Sequence, residues 1–138
     1  MSKIATGAVH HIMLTVSDID RTRHFYHEIL GMDVVVNNPE GGQVAFTNGS
    51  VLLAARLPFD AEQTPVNDHF NENRYGLDHL SLSVSNRAAL EAAQAVFDTY
   101  TVPHGEIKDL SEHGLPILVL AFRDPDHIQL ELTAPAGE

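Results

Sequence analysis

Three short segments of the chain alternate between aliphatic and mostly polar side chains, and this period of two predicts β-strands with one face in the core. The aliphatic series are Ile12, Leu14 and Val16, then Leu80, Leu82 and Val84, then Ile128, Leu130 and Leu132. The opposite series are His11, Met13 and Thr15, then His79, Ser81 and Ser83, then Gln129, Glu131 and Thr133. We therefore expect these strands to gather two histidines and a glutamate on the face that is turned away from the helices.

Helical periodicity follows the first two of these segments, over residues 19–30 and 87–100. Asp18 and Asn86, or the serines beside them, are suited to cap the two helices, and Gly31 is suited to end the first one. After each helix the sequence predicts three strands, at 33–37, 43–47 and 50–57 in the first half and at 104–109, 115–122 and 127–133 in the second. The order of elements is therefore β-α-β-β-β, twice.

The two halves also match each other in sequence. Residues 9–16, Val-His-His-Ile-Met-Leu-Thr-Val, align with 77–84, Leu-Asp-His-Leu-Ser-Leu-Ser-Val, and residues 51–58 align without a gap with 128–135. Such internal similarity indicates a duplicated unit. We predict an α+β fold of two tandem βαβββ modules in a single domain, residues 1–138. Repeat 1 covers about 8–58, a polar connector that could fold over the site covers about 59–75, and repeat 2 covers about 76–135.

Composition and charge narrow the range of partners. Against 19 acidic residues the chain has 8 basic ones, a formal net charge of −11, and this argues against nucleic acid because phosphate binding depends on Lys and Arg. The sequence contains no recognisable membrane span or signal peptide, so we expect a cytoplasmic protein. Cysteine is absent, which leaves imidazole, carboxylate and water as metal ligands.

A metal site is the chemistry that the two histidines and the glutamate indicate together. A single such residue on a strand would normally just face water. However, His11 and His79 occupy equivalent positions in the two repeats, and Glu131 lies on the strand that closes the second one. Two imidazoles and a carboxylate suit a divalent ion of Fe, Mn, Zn or Ni. His10 is the alternative to His11 as a ligand.

We expect a small-molecule site beside these ligands. The residues predicted to contact the substrate are Met13, Phe46, Tyr75, Ser81, Phe122 and Gln129. For the three aromatic residues of this set, packing in the core is the alternative. The chain contains no Gly-x-Ser-x-Gly nucleophile motif and no glycine-rich phosphate loop.

Seven short motifs, spread over nearly the whole chain, carry a family resemblance. They are His11-Ile12, Ser17-Asp18-Ile19-Asp20, Phe25-Tyr26, Leu30-Gly31, Gly76-Leu77-Asp78-His79, Phe122-Arg123-Asp124-Pro125-Asp126 and Gln129-Leu130-Glu131-Leu132. With these motifs the chain resembles the vicinal oxygen chelate superfamily, which includes glyoxalase I, fosfomycin-resistance transferases, extradiol dioxygenases, methylmalonyl-CoA epimerase and bleomycin-resistance binding proteins. The resemblance implies a glyoxalase-like fold in which each module curls into half a barrel with the metal ligands on its concave face.

The resemblance also implies that His11, His79 and Glu131 occupy three metal-ligand positions. The fourth position aligns with Ala54, which cannot coordinate a metal, whereas glyoxalase I usually has a carboxylate or a similar ligand there. This difference argues against a typical glyoxalase I and leaves an arrangement similar to the fosfomycin enzymes and the dioxygenases. Because small members commonly build each cleft from two chains, we expect a homodimer in which His11 of one chain meets His79 and Glu131 of the other.

Two functions of different class follow from the sequence. The first is a metalloenzyme of lyase, isomerase, transferase or dioxygenase type, in which a divalent metal binds vicinal oxygens of a small substrate. In this hypothesis Glu131 is the candidate catalytic residue, either as a ligand only or as a base that detaches from the metal. The alternative is a protein that sequesters an antibiotic without catalysis, for which the acidic charge would suit a cationic drug.

Overall fold

The structure is a computed structural model that describes residues 2–137. The chain divides between Val66 and Asn67 into two compact units, and each unit contains a four-stranded mixed sheet with a helix. This architecture confirms the predicted α+β class and the repeated order of elements. Among residues 2–137, no helix combines the length and the hydrophobicity that a membrane-spanning segment requires.

The first unit contains a sheet whose strands lie in the order β1-β4-β3-β2. Its elements are β1 (Ile12–Thr15), α1 (Ile19–Arg23) with a wider helical turn (His24–Ile29), β2 (Asp33–Asn38), β3 (Gln43–Thr47) and β4 (Leu52–Arg56). Strand β1 pairs with β4 in parallel, and the other neighbours are antiparallel. The first and last strands of the unit are therefore adjacent.

The second unit repeats this topology, with its strands in the order β5-β8-β7-β6. Its elements are β5 (Leu80–Ser83), α2 (Arg87–Thr99), β6 (Lys108–Asp109), β7 (Ile117–Arg123) and β8 (Gln129–Pro135). Again only the pairing of the first and last strands, β5 and β8, is parallel. The strand registers also correspond, because Ser81 lies opposite Glu131 in the same way that Met13 lies opposite Ala54.

The helix boundaries follow from the capping residues that the sequence provides. The Asp18 side chain accepts a hydrogen bond from the Arg21 amide at 2.9 Å, and the Asn86 side chain accepts one from the Ala89 amide at 2.9 Å. After α1 the helix widens, because the Leu30 amide donates to the Phe25 carbonyl, five residues back, at 3.0 Å. The predicted helix over 19–30 thus exists, but its second half is not a regular α-helix.

The predicted strand over 104–109 is mostly absent, since only Lys108–Asp109 forms a strand and His104 makes a single bridge to Phe122. The Gly105 carbonyl accepts a hydrogen bond from the His104 ring at 2.7 Å. The second ring nitrogen of His104 lies 2.7 Å from an Asp98 carboxylate oxygen. The Gly105 amide still donates to the Ala121 carbonyl at 2.9 Å, so this segment contacts β7 through isolated hydrogen bonds before Lys108.

The burial of the strands follows the alternation of aliphatic and polar side chains that the sequence predicted. In the first unit Leu14 and Val16 are buried whereas His11, Met13 and Thr15 are exposed, and in β8 Leu130 and Leu132 are buried. Helix α1 packs on β3 and β4, and α2 packs on β7 and β8. In the second unit the opposite face carries the polar residues Ser81, Glu131 and Thr133, which are exposed or half-buried and therefore available for chemistry.

Two of the predicted pocket residues lie in the core. Phe46 is fully buried with its ring 5.4 Å from that of Tyr26, and Phe122 stacks on Phe97 at 4.5 Å. Each lies two positions from a buried aliphatic residue of its strand, Phe46 from Val44 and Phe122 from Leu120. Both rings therefore point toward the helix side of the sheet. The structure thus shows the core packing that the sequence had left as the alternative.

Candidate functional site

The polar face of the second sheet holds the densest group of candidate site residues. His79 immediately precedes β5, and the parallel pairing of β5 with β8 places it beside the strand that carries Gln129 and Glu131. Ser81 lies directly opposite Glu131, so both side chains belong to the same face. The Ser81 hydroxyl in turn hydrogen-bonds the Thr133 hydroxyl. Backbone pairing alone thus brings these predicted residues together.

His79 and Glu131 approach each other in a way that suits two ligands of one ion. His79 Nε2 lies 3.4 Å from Glu131 Oε1, which is longer than an ordinary N–H···O hydrogen bond. Two ligand atoms that are each about 2.1 Å from a zinc ion in tetrahedral or octahedral geometry lie roughly 3.0–3.4 Å apart. The side chains are 38% and 21% exposed, so an ion could reach both atoms.

The other ring nitrogen of His79 is held by its neighbour in sequence. His79 Nδ1 lies 2.8 Å from Asp78 Oδ1, and an ionised carboxylate can only accept. This contact favours the tautomer in which Nδ1 carries the proton, so that Nε2 presents a lone pair toward Glu131. A carboxylate that orients a histidine in this way is a common partner of a metal-ligating imidazole.

Asp78 is itself fixed by Gln129. The Gln129 side-chain amide donates to Asp78 Oδ1 at 2.8 Å and to the Asp78 carbonyl at 3.1 Å. Arg123 donates to the Gln129 side-chain oxygen at 3.5 Å and to the His127 carbonyl at 3.1 Å. The donors and the acceptor of the Gln129 amide are therefore engaged inside the second unit.

A bidentate ion pair completes this chain of contacts. Both terminal nitrogens of Arg123 donate to the Glu72 carboxylate, each at 2.8 Å, and both side chains are half-buried. The hydrogen bonds from Arg123 lower the pKa of Glu72 from 4.5 to about 2, and the same pairing raises the pKa of Arg123. The pair is therefore charged throughout the neutral range.

Part of the predicted connector belongs to the second unit. The Phe70 amide donates to the Asp126 carbonyl at 3.0 Å, and Glu72 binds Arg123 as described above. Tyr75, a predicted substrate contact in this segment, is fully exposed. Glu72 was not recognised from the sequence, because it lies 51 residues from its partner in a polar stretch without periodicity.

The first unit contributes a different surface. His11 is exposed and its Nδ1 lies 2.9 Å from Nδ1 of His10, so that within residues 2–137 an imidazole stands where His79 has a carboxylate. Met13 is 43% exposed on the same face, opposite Ala54. Ala54 therefore occupies the place in its unit that Glu131 has in the other. The methyl group there provides no ligand atom.

The metal ligands predicted from the sequence are only partly grouped. Among residues 2–137, no cluster of three or more His, Asp or Glu side chains could hold a metal ion. The second unit by itself supplies the pair of His79 and Glu131, with Ser81 and Gln129 near them. His11 and Met13 belong to the first unit.

Comparisons with known proteins agree with this topology. The family described as Glyoxalase/Bleomycin resistance protein/Dioxygenase superfamily matches residues 8–132. Mitochondrial methylmalonyl-CoA epimerase of Mus musculus is 28% identical over 91% of this chain and 72% of that protein. A glyoxylase/bleomycin resistance protein/dioxygenase domain from Frankia sp. EAN1pec is 27% identical with a TM-score of 0.76, covering 97% of this chain and 96% of that one. Lactoylglutathione lyase from Agrobacterium tumefaciens, at 20% identity and a TM-score of 0.70 over 94% of both chains, shares the fold.

The Glu72–Arg123 pair predicts a specific dependence of stability on pH. Because the pKa of Glu72 is about 2 in the folded protein and 4.5 as its ordinary value, the pair stabilises the fold above pH 4.5. This contribution is lost as the pH falls from 4.5 toward 2. We expect Glu72→Gln to lower the free energy of unfolding in urea at pH 7, and the difference from wild type to shrink below pH 4.5. The exposed Glu112→Gln substitution is the control, and an equal difference at pH 7 and pH 3.5 would contradict the prediction.

Proposed function

Because this chain belongs to the Glyoxalase/Bleomycin resistance protein/Dioxygenase superfamily, we propose that it is a metal-dependent enzyme that acts on a small substrate. The proposed ligands are His11, His79 and Glu131. The observation that carries the proposal is the 3.4 Å approach of His79 Nε2 to Glu131 Oε1, with the other ring nitrogen bound to Asp78. This donor set of imidazole and carboxylate suits a divalent ion of Fe, Mn, Zn or Ni.

The proposed reaction is proton transfer at a carbon next to a carbonyl group, as an isomerase or lyase would require. When bound, the divalent metal supplies a Lewis acid that polarises a substrate oxygen. Once detached from the metal, the Glu131 carboxylate is the group of this site that can take the proton from the substrate carbon and hold it as a carboxylic acid. The methylmalonyl-CoA epimerase relative supports this class of reaction, because epimerisation inverts a carbon beside a carbonyl.

A drug-binding protein is the second candidate function. Two observations favour it: Ala54 removes one ligand position, and the net charge of −11 suits a cationic ligand. In this case the histidines would be dispensable. Binding of a cationic antibiotic such as bleomycin, without turnover and equally by the His11→Ala/His79→Ala double variant, would favour this function over the enzyme.

Metal binding is the first test of the enzyme. We expect the protein purified without chelator to bind one divalent ion per chain, and the His79→Ala and Glu131→Ala variants to lose it because each removes a ligand atom. Elemental analysis and calorimetric titration with Zn²⁺, Mn²⁺, Ni²⁺ and Fe²⁺ measure this. The matched control is His113→Ala, which removes an exposed histidine of the same unit. Metal binding that persists in both ligand variants would contradict the proposed site.

Hydrogen exchange tests the proposed chemistry directly. We expect the metal-loaded protein to exchange the acidic C–H of methylmalonyl-CoA, used as the first probe, for deuterium in D₂O. Glu131→Gln should slow this exchange by about 10²–10⁴-fold, the usual contribution of a general base. Mass spectrometry follows the exchange, with Glu112→Gln as the control. Metal binding without exchange of this thioester or of other small carbonyl acids would remove proton transfer as the reaction.

We further propose that the protein is a homodimer in which His11 of one chain meets His79 and Glu131 of the other. The edge strand β2 supports association, because its own residues Val35 and Val36 are about half exposed. In a symmetric dimer each site would then be shared between the two chains.

Mixing two inactive variants distinguishes a shared site from a site within one chain. In a shared site, a mixed dimer of His11→Ala and His79→Ala retains one intact set of ligands and should bind one metal ion. Refolding the two variants together should therefore restore about a quarter of the metal of wild type, because random pairing makes half of the dimers mixed. Each variant refolded alone is the control. No restoration in mixed dimers, or a monomer by light scattering, would contradict sharing.

A further inference from the structure

We propose that Asp78, Gln129, Arg123 and Glu72 are positioning residues that hold the His79 ring in one tautomer and aim its Nε2 at the metal. This inference deepens the proposed function and rests on it for the role of Nε2. None of the four touches the substrate in this scheme. They act through the imidazole, in the order in which their hydrogen bonds connect them.

The first step is the contact between Asp78 and His79. Their side chains are adjacent in sequence and lie largely in solvent, with the His79 ring 38% and the Asp78 carboxylate 64% exposed. An exposed carboxylate has many rotamers, so the 2.8 Å contact to His79 Nδ1 would by itself be weak. The carboxylate needs a second partner if it is to fix the ring.

Gln129 is that second partner. Its amide donates both to the side chain and to the backbone carbonyl of Asp78, which fixes the carboxylate and its main chain together. Both amide hydrogens are used by Asp78 and the side-chain oxygen accepts from Arg123, so Gln129 has no donor left for a substrate. We therefore assign Gln129 to positioning, in place of the substrate contact that the sequence indicated.

Arg123 and Glu72 determine which way round the Gln129 amide lies. A guanidinium can only donate, so it requires the oxygen of Gln129 on its side and leaves the NH₂ group for Asp78. The guanidinium is held in turn by the bidentate Glu72 carboxylate and the His127 carbonyl. The ion pair thus fixes Arg123, Arg123 orients the Gln129 amide, and Gln129 holds the Asp78 carboxylate that contacts the His79 ring.

The duplicated first unit provides an internal comparison. The strand registers make Leu52 the equivalent of Gln129, and His10 precedes His11 where Asp78 precedes His79. An aliphatic side chain cannot hold a carboxylate, and His11 Nδ1 faces a second imidazole. The arrangement is therefore a property of the second unit and does not follow from the fold alone.

Nuclear magnetic resonance can detect the tautomer without metal or substrate. In ¹⁵N-labelled, metal-free protein at pH 8, long-range ¹H–¹⁵N spectra should show His79 mainly with the proton on Nδ1. We expect Asp78→Ala and Gln129→Met to shift His79 toward a mixture of tautomers, and Glu72→Gln to do so less. Asp78→Asn keeps an acceptor oxygen and should preserve the tautomer. The matched control is Asp98→Ala, which breaks a second Asp–His contact of this unit, the one with His104.

Metal affinity gives the second readout. Loss of an outer partner of a ligating histidine typically weakens metal binding about 10–100-fold, so we expect Asp78→Ala near the upper end and Gln129→Met near the lower end. Asp98→Ala should leave the Kd unchanged.

If wild type, Asp78→Ala and Gln129→Met all have the same His79 tautomer and the same Kd for the metal, the positioning role is wrong although the metal site stands. If wild type binds no metal but the tautomer shifts as expected, the positioning stands and the proposed function fails.

Discussion

The parallel pairing of the first and last strands within each unit is the constraint on which the site depends. Without it, His79 and Glu131, which are 52 residues apart in the chain, would have no reason to approach each other. Parallel neighbours cannot be joined by a short turn, so the intervening helix and two strands are required to complete the connection. Because the helix packs on one face of the sheet, it also decides that the polar side chains gather on the opposite face.

The two units share a backbone framework but differ in the polar side chains that they carry on it. Both keep a histidine just before the first strand, but only the second adds a carboxylate on the closing strand and a side-chain network behind the ring. In the first unit the corresponding positions are occupied by Ala54, Leu52 and His10. The framework of hydrogen-bonded strands is common to both, whereas the polar chemistry depends on a few side chains that the backbone does not dictate.

Much of the fold could be predicted because it depends on periodicity, caps and repetition. Alternation identified the buried faces, and Asp18 and Asn86 marked where the helices begin. The repeat also predicted that His79 and Glu131 would lie close together, and their nearest atoms are 3.4 Å apart. The contacts of Glu72 and Gln129 could not be predicted, because each joins residues 51 positions apart in the chain and leaves no local pattern. The short length of β6 was not predicted either, because the strand-like composition of residues 104–109 does not reveal that residues before Lys108 contact β7 only at isolated points.

The contact between Glu72 and Arg123 determines where the second half of the protein would have to begin if it were expressed alone. The sequence repeat begins near Gly76, but a second half expressed from that residue would lack the carboxylate that neutralises a half-buried guanidinium. It would also lose the amide of Phe70 that binds the Asp126 carbonyl in the turn between β7 and β8. A second half that keeps both contacts must therefore include Phe70, so the physical module is longer at its start than the unit of duplication.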